Sequence, residues 1–183
     1  VHNLQDYIRV YDDILDKETC ENLIAKFETC DQLQKVESEI YKFHQLNVTQ
    51  REDWKEASEM FASLSYSAAS AYFNDVDALI VPQLEGFEEI RIKRYRPGEN
   101  ERFDVHVDVG DQRTSKRFLV IFCYLNDVEE GGETSFPTLG IDIKPKAGRV
   151  LMFPPMWMFP HEAKVPVSGD KYIVGTYLHY VNK

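Results

Sequence analysis

The chain has 183 residues, 43% of them apolar and 13% aromatic, enough to bury one sizeable core and too many for a disordered chain. A formal net charge of -10, a pI near 5.0 and no basic run argue against nucleic acid as a partner. No stretch approaches the ~18 uninterrupted apolar residues of a transmembrane helix, so no membrane partner is expected.

The start, "VHNLQDYIRV", has no signal-peptide pattern. Three cysteines, Cys20, Cys30 and Cys123, are sparse and odd in number, which reads as reduced thiols of a cytoplasmic protein rather than a disulfide framework. Asp16 can cap a helix in which Cys20, Leu23, Ile24 and Phe27 recur on one face. From residue 51 to about 74, Trp54, Ala57, Phe61, Leu64, Ala68 and Tyr72 form a second apolar stripe. Both read as supports packed on a sheet. Between them, "VESEIYKFHQLNV" (36–48) has a weak hairpin signal.

From residue 88 the texture changes to short strands broken by turns. "EEIRIKRY" and "FDVHVDV" alternate, and "RPGEN" and "GDQRTSK" break them. "RFLVIFCYL" is a continuous apolar run suited to a strand buried on both faces. "TSFP", "IDIKPKAG", "RVLMFPP" and "KYIVGTYLHYV" complete the series. Such spacing predicts an α+β chain: a double-stranded β-helix, or jelly roll, over about 88–183 with supporting helices over about 1–87, in a single domain of 1–183.

His106 and Asp108 stand two apart in a stretch that alternates like a strand, so both point to one face. His-x-Asp alone is a weak signal, and a surface or core role is the ordinary fate of a histidine. His161, 53 residues after Asp108, strengthens it, because two histidines and one carboxylate leave three coordination positions open. That set suits a non-haem Fe(II) which must take a cosubstrate and dioxygen together, whereas structural zinc sites fill all four positions. Lys171 opens the last apolar strand and there needs an anionic partner or a route to solvent. Beside such a metal site the fitting partner is a bound dicarboxylate, attracted by roughly 4 kcal/mol at 4 Å and an effective dielectric near 20.

Four blocks in order, "IKRYRPGENERFDVHVD", "RFLVIFCYLNDVEEGGETSFP", "IKPKAGRVLMFPPMW" and "HEAKVPVSGDKY", resemble the Fe(II)/2-oxoglutarate-dependent dioxygenases, in their prolyl 4-hydroxylase-like branch. The resemblance covers about half the chain, and "YDDILDKETCENLIAKF" near the start is similar to the same branch. It implies that His106, Asp108 and His161 hold Fe(II) and that Lys171 meets the distal carboxylate of 2-oxoglutarate. It also implies that Tyr95 and Thr134 line the cosubstrate pocket and that Arg117 contacts substrate. Ascorbate joins dioxygen, iron and 2-oxoglutarate as an expected accessory. The expected reaction hydroxylates a peptidyl proline while 2-oxoglutarate is decarboxylated to succinate and carbon dioxide. Trp157 and Tyr177 are further candidates at the substrate mouth, and 110–117 is a candidate closing loop.

Departures fall mainly on the substrate side. Tyr95 to His106 runs two residues longer than in prolyl 4-hydroxylases of that kind, Phe103 stands where a tyrosine is frequent, Val120 where a threonine is, and Tyr177 where a tryptophan is. Two alternatives therefore stay open: the same chemistry on a free amino acid or another protein residue, and a non-catalytic jelly-roll binding module stabilised by a metal. A cupin-type isomerase would need further ligands near the first motif, and "HVDVGDQR" has none.

Overall fold

Alternation in Arg117–Tyr124 sends side chains to two different interiors, and the fold follows from that sorting. In the computed structural model, which describes residues 3–181, this strand is β7. Ile121 and Cys123 face a helix-covered core, whereas Val120, Phe122 and Tyr124 face the inside of the curled sheet. A strand buried on both faces has no position for a polar residue, which is why the run is continuously apolar.

Two helices cover the outer face. Asp16 caps α1 (Lys17–Glu28), its Oδ1 accepting from the Thr19 N–H at 2.8 Å; losing such a cap costs about 1 kcal/mol. Cys20, Leu23 and Phe27 are its buried face, as the spacing predicts. A 3-10 turn at Glu52–Trp54 leads into α2 (Lys55–Asp75), which buries Phe61, Ala68 and Tyr72. These residues pack on Leu46, Ile92, Val150, Met152 and Val174. At about 1.5–3 kcal/mol per fully buried large apolar side chain, this layer is a principal source of stability.

The sheet has twelve strands, all paired antiparallel: β1 (Arg9–Tyr11), β2 (Gln34–Glu37), β3 (Tyr41–Asn47), β4 (Leu84–Phe87), β5 (Arg91–Tyr95), β6 (Arg102–His106), β7, β8 (Thr134–Phe136), β9 (Ile141–Ile143), β10 (Val150–Phe153), β11 (His161–Ala163) and β12 (Lys171–Tyr180). Their order is β1-β10-β7-β12-β5-β3-β6-β11-β8-β9, with β2 beside β3 and β4 beside β12. The sheet curls into a jelly-roll half-barrel, as expected. Its inner core is aromatic: Phe43, Tyr95, Phe122, Tyr124, Phe136, Phe153 and Phe159.

The first half is less purely a helical support than the sequence predicts. It supplies four strands, and the weak hairpin at 36–48 is β2–β3, closed by the Ser38 N–H donating to the Tyr41 carbonyl at 2.8 Å. β3 then lies between β5 and β6 in the middle of the sheet. The longer loop from Tyr95 to His106 is tied by Glu101, fully buried, which accepts from the Arg96 N–H at 2.9 Å and its guanidinium at 3.1 Å, and pairs with His44 at 3.0 Å. Among the described residues no helix is long and apolar enough to cross a membrane, and all three cysteines are free.

Candidate functional site

His106 ends β6, His161 begins β11, and the two stand directly opposite each other in the antiparallel register. The strand expected to carry both His106 and Asp108 stops at His106. Asp108 sits in the bend beyond, where its own N–H and that of Val109 both donate to the Pro155 carbonyl at 3.1 Å. The carboxylate still converges on the histidines: His106 Nε2 is 3.6 Å from Oδ1 and His161 Nε2 is 3.3 Å from Oδ2. Ligands about 2.1 Å from one ion lie about 3 Å apart when mutually adjacent, so this set needs only a small contraction to close on a metal.

The tautomers fit as well. His106 Nδ1 is 2.8 Å from the Asp104 carbonyl and His161 Nδ1 is 3.0 Å from the Phe159 carbonyl. A carbonyl can only accept, so each Nδ1 carries the proton and each Nε2 presents a lone pair to the shared space. Burial alone would raise the Asp108 carboxyl, but His106, His161 and the Tyr177 hydroxyl outweigh it and hold it well below the usual carboxylate range. Burial pushes the His161 imidazole down, which keeps it neutral and able to ligate. Phe103 stacks flat on the His106 ring, with centroids 3.4 Å apart, and Phe153 meets the His161 ring edge-on.

These three residues line a cavity of about 70 Å³ together with Tyr95, Thr134, Lys171 and Tyr177. Lys171 is 1% exposed and stands across from Tyr95 in the β12–β5 register. It has no hydrogen-bonding partner among the described residues, and its Nζ lies 5.2 Å from the Tyr95 ring and 5.6 Å from the Tyr124 ring. Burial pushes its ammonium down to about 7, against the pull of Glu133. A carboxylate from a ligand would supply the missing charge. Thr134 accepts a 2.7 Å hydrogen bond from the Tyr124 hydroxyl, so Tyr124, the last residue of β7, supports Thr134 from behind the cavity and is not singled out by the sequence.

The cavity opens into a cleft of about 820 Å³. Arg117 lines it, but its guanidinium is already engaged. Nε and Nη2 donate to the Glu88 carboxylate at 2.8 and 2.7 Å, Nη1 to the Asp108 carbonyl at 2.9 Å, and the plane lies 4.0 Å above the Tyr177 ring. It braces the site from the wall of the cleft, where the sequence expects it to contact substrate. Tyr177 lines both cavity and cleft, and its hydroxyl donates to Asp108 Oδ1 at 2.7 Å. Trp157 lines neither: it is 77% exposed, while Met156 and Met158 beside it face a separate apolar cavity. Residues 111–116 form a turn leading into β7 in which the Thr114 N–H donates to Asp111 Oδ1 at 2.9 Å, and Arg113, Thr114 and Lys116 rim the cleft. Lys93, two residues before Tyr95 on β5, lines cavity and cleft alike. The period of two along "IRIKRY" could have placed it there, since residues i and i+2 share a face.

The sequence profile of the 2OG-Fe(II) oxygenase superfamily matches residues 90–179. A protein of Acanthamoeba polyphaga mimivirus that carries the provisional name prolyl 4-hydroxylase is 27% identical over 135 residues, covering 65% of this chain and 56% of that one. A protein of Arabidopsis thaliana with a similar name is 33% identical over 96 residues, 42% of this chain and 32% of its own length. The chain thus spans about half or less of these relatives. Among solved structures, the viral collagen prolyl hydroxylase of Paramecium Bursaria Chlorella virus-1, in a 2-oxoglutarate complex, shares the fold with a TM-score of 0.73 at 23% identity, over 96% of this chain and 97% of that one. The prolyl hydroxylase of Trichoplax adhaerens, solved with a hypoxia-inducible-factor peptide fragment, gives 0.77 at 17% identity, over 95% and 84%. Over residues 90–179, just under half its length, the chain is similar to the 2OG-Fe(II) oxygenase superfamily, and the curated relatives it resembles carry prolyl 4-hydroxylase names.

Proposed function

We propose that this chain is a 2OG-Fe(II) oxygenase that, working as one domain, hydroxylates a peptidyl proline with 2-oxoglutarate as cosubstrate. His106, Asp108 and His161 hold Fe(II), and Lys171, Tyr95 and Thr134 hold 2-oxoglutarate. The observation that carries this reading is the pairing of two Nε2 lone pairs and one carboxylate with a buried, unpartnered ammonium in a single small cavity. A module that kept a metal for stability alone has no use for Lys171.

When bound, iron with 2-oxoglutarate and dioxygen supplies the oxidising power, one oxygen atom entering the substrate C–H bond and the other the succinate formed as carbon dioxide leaves. The protein's part is positioning. The backbone carbonyls of Asp104 and Phe159 fix both imidazoles, and the Tyr177 hydroxyl fixes Oδ1 of Asp108, leaving Oδ2 beside His161. Lys171 draws the distal carboxylate to the cavity floor, which orients the other end of the cosubstrate toward the three ligands. Phe43, Phe103, Val120, Phe122 and Ile173 exclude water around it. The substrate enters by the cleft, whose wall carries Arg117 and Tyr177, with 110–117 closing over it. Ascorbate as accessory reductant and a cytoplasmic setting for the three free thiols complete the proposal.

Succinate release from 2-oxoglutarate with Fe(II) under air, with and without a Pro-rich peptide, tests it beside a His106→Ala control. Turnover raised by the peptide and abolished in the control supports prolyl hydroxylation. Turnover indifferent to the peptide keeps the chemistry and rejects the substrate. Metal binding with no turnover favours a binding module.

A further inference from the structure

The residues around the cleft invert the charge of the molecule. On a chain of net charge -10, the cleft is lined by five cationic side chains, Arg91, Lys93, Arg113, Lys116 and Arg117, against three carboxylates, Glu88, Glu89 and Asp108. A metal on Asp108 would make the balance more positive. Most of the cations have partners: Arg91 pairs with Glu88 and Glu89, Arg117 with Glu88, and Arg113 with Asp111 at 3.9 Å on the exposed turn.

Lys93 stands apart from the paired arginines and from Lys116, which is exposed. It is the one lysine or arginine lining both the inner cavity, with His106, Asp108 and His161, and the outer cleft. It stands where the cleft and the inner cavity share their lining, beside Asp108. Among the described residues it also has no ion-pair or hydrogen-bonding partner; its Nζ rests 4.9 Å from the Phe43 ring, and Asp108 accepts its hydrogen bond from the Tyr177 hydroxyl. Burial pushes its ammonium down to about 8, against the attraction of Asp108. An ammonium left without a partner in a tight site is costly unless a ligand completes it. Lys171 poses the same problem on the floor, but Lys93 pairs in register with Ile173, two residues along β12 toward the mouth. That step of about 6.8 Å sets it apart from the cosubstrate's distal end.

We propose that Lys93 is a specificity-determining residue that binds a carboxylate carried by the prime substrate next to its hydroxylated carbon. This rests on the reading of the site as a prolyl hydroxylase and names its substrate class: an acidic peptide with Asp or Glu flanking the target proline. A proline bearing its own α-carboxylate presents the same chemistry, and the experiment separates the two.

Binding is measured by calorimetry, without dioxygen, on the full chain loaded with Fe(II) and 2-oxoglutarate. The ligands are a blocked Pro-rich peptide with Glu after each proline, its Gln counterpart, and the Gln peptide ending in a free rather than an amidated proline. The wild-type protein is expected to favour the Glu peptide by ~10-fold or more, the range of a charge-assisted hydrogen bond. Lys93→Met, close in shape and with no charge to bury, is expected to fold and to lose that ratio; Lys93→Arg keeps part of it. A preference confined to the free proline terminus keeps Lys93 as the carboxylate site and moves the carboxylate from flanking residue to proline itself. Equal affinities for all the peptides overturn the assignment of Lys93 and leave the prolyl reading standing. A Lys93→Met effect carried by 2-oxoglutarate affinity, with the Glu-to-Gln ratio intact, also overturns it. No peptide binding at all, alongside normal succinate release, overturns both.

Discussion

The Tyr177 hydroxyl donates a 2.7 Å hydrogen bond to Oδ1 of Asp108, across 69 residues of sequence. One oxygen of the carboxylate is thereby fixed, and the other, Oδ2, lies 3.3 Å from His161 Nε2. Tyr177 is itself held by the Arg117 guanidinium stacked on its ring, so β7 and β12 orient the Asp108 side chain. Tyr177→Phe removes one hydroxyl and nothing else. The expected outcome is an unchanged fold with a ~10–100-fold loss of metal affinity, the usual effect of deleting a partner behind a metal ligand. Equilibrium titration with Fe(II) or Co(II) reads it, and an unaltered affinity sinks the positioning role.

Lys171 separates stability from ligand binding. Its ordinary value is 10.5 and burial lowers it to about 7, so the unfolded chain holds the proton more tightly through that interval. Stability of the ligand-free protein should therefore fall as pH drops from ~10.5 to ~7. Lys171→Met removes this cost and is expected to stabilise the ligand-free protein by about 1–3 kcal/mol near pH 7, while abolishing the rise in melting temperature on adding 2-oxoglutarate. Thermal melts with and without 2-oxoglutarate decide. A variant that melts earlier, or one still stabilised by the cosubstrate, would contradict the assignment.

Gly175 tests the close approach of β12 to β7. It pairs with Phe122, and a Cβ there would lie 2.6 Å from the Phe122 Cβ and 3.2 Å from the Ile121 carbonyl. Two neighbouring strands would have to part. Gly175→Ala should cost about 1–3 kcal/mol by overpacking, measured by urea unfolding. Part of that loss should return in the Gly175→Ala, Phe122→Gly double variant, because removing the Phe122 Cβ vacates the space the new Cβ needs. Strict additivity would mean the clash lies elsewhere.

What the sequence made legible depended on whether the signal was local. The run at 117–124 announced a strand buried on both faces because every position in it meets apolar neighbours. His106, Asp108, His161 and Lys171 were legible by residue type and order, although Asp108 lies beyond the strand end, where the Pro155 carbonyl and not the pleat sets its place. β3 was weak because its central position is created by pairing with β5 and β6, about 50 to 60 residues downstream. Arg117 looked free because its partner, Glu88, is 29 residues away on another element. Lys93 was readable from the two-residue period, but a lone lysine on a strand carries no sign of what its face encloses.

The Glu88–Arg117 pair provides a pH test of the brace behind the metal ligands. Both side chains are largely buried, and Glu88 also accepts from His179 at 3.1 Å. Burial by itself would raise the Glu88 carboxyl, but the Arg117 fork and His179 outweigh it and hold it at about 2, below the ordinary 4.5. A carboxyl depressed in the folded state contributes stability that is complete above ~4.5 and lost as pH falls from there through ~2. Glu88→Gln keeps the shape and removes the charge. It should cost about 2 kcal/mol near pH 7, since it leaves the Arg117 cation half-buried without its counter-charge. Below pH ~3 the wild-type protein should lose most of that advantage, so the two stability curves draw together in acid. The same variant should weaken metal binding at pH 7, because Arg117 then has less reason to stay stacked on Tyr177 and bonded to the Asp108 carbonyl. Stability curves that stay parallel from pH 6 to 2 would remove Glu88 from the brace.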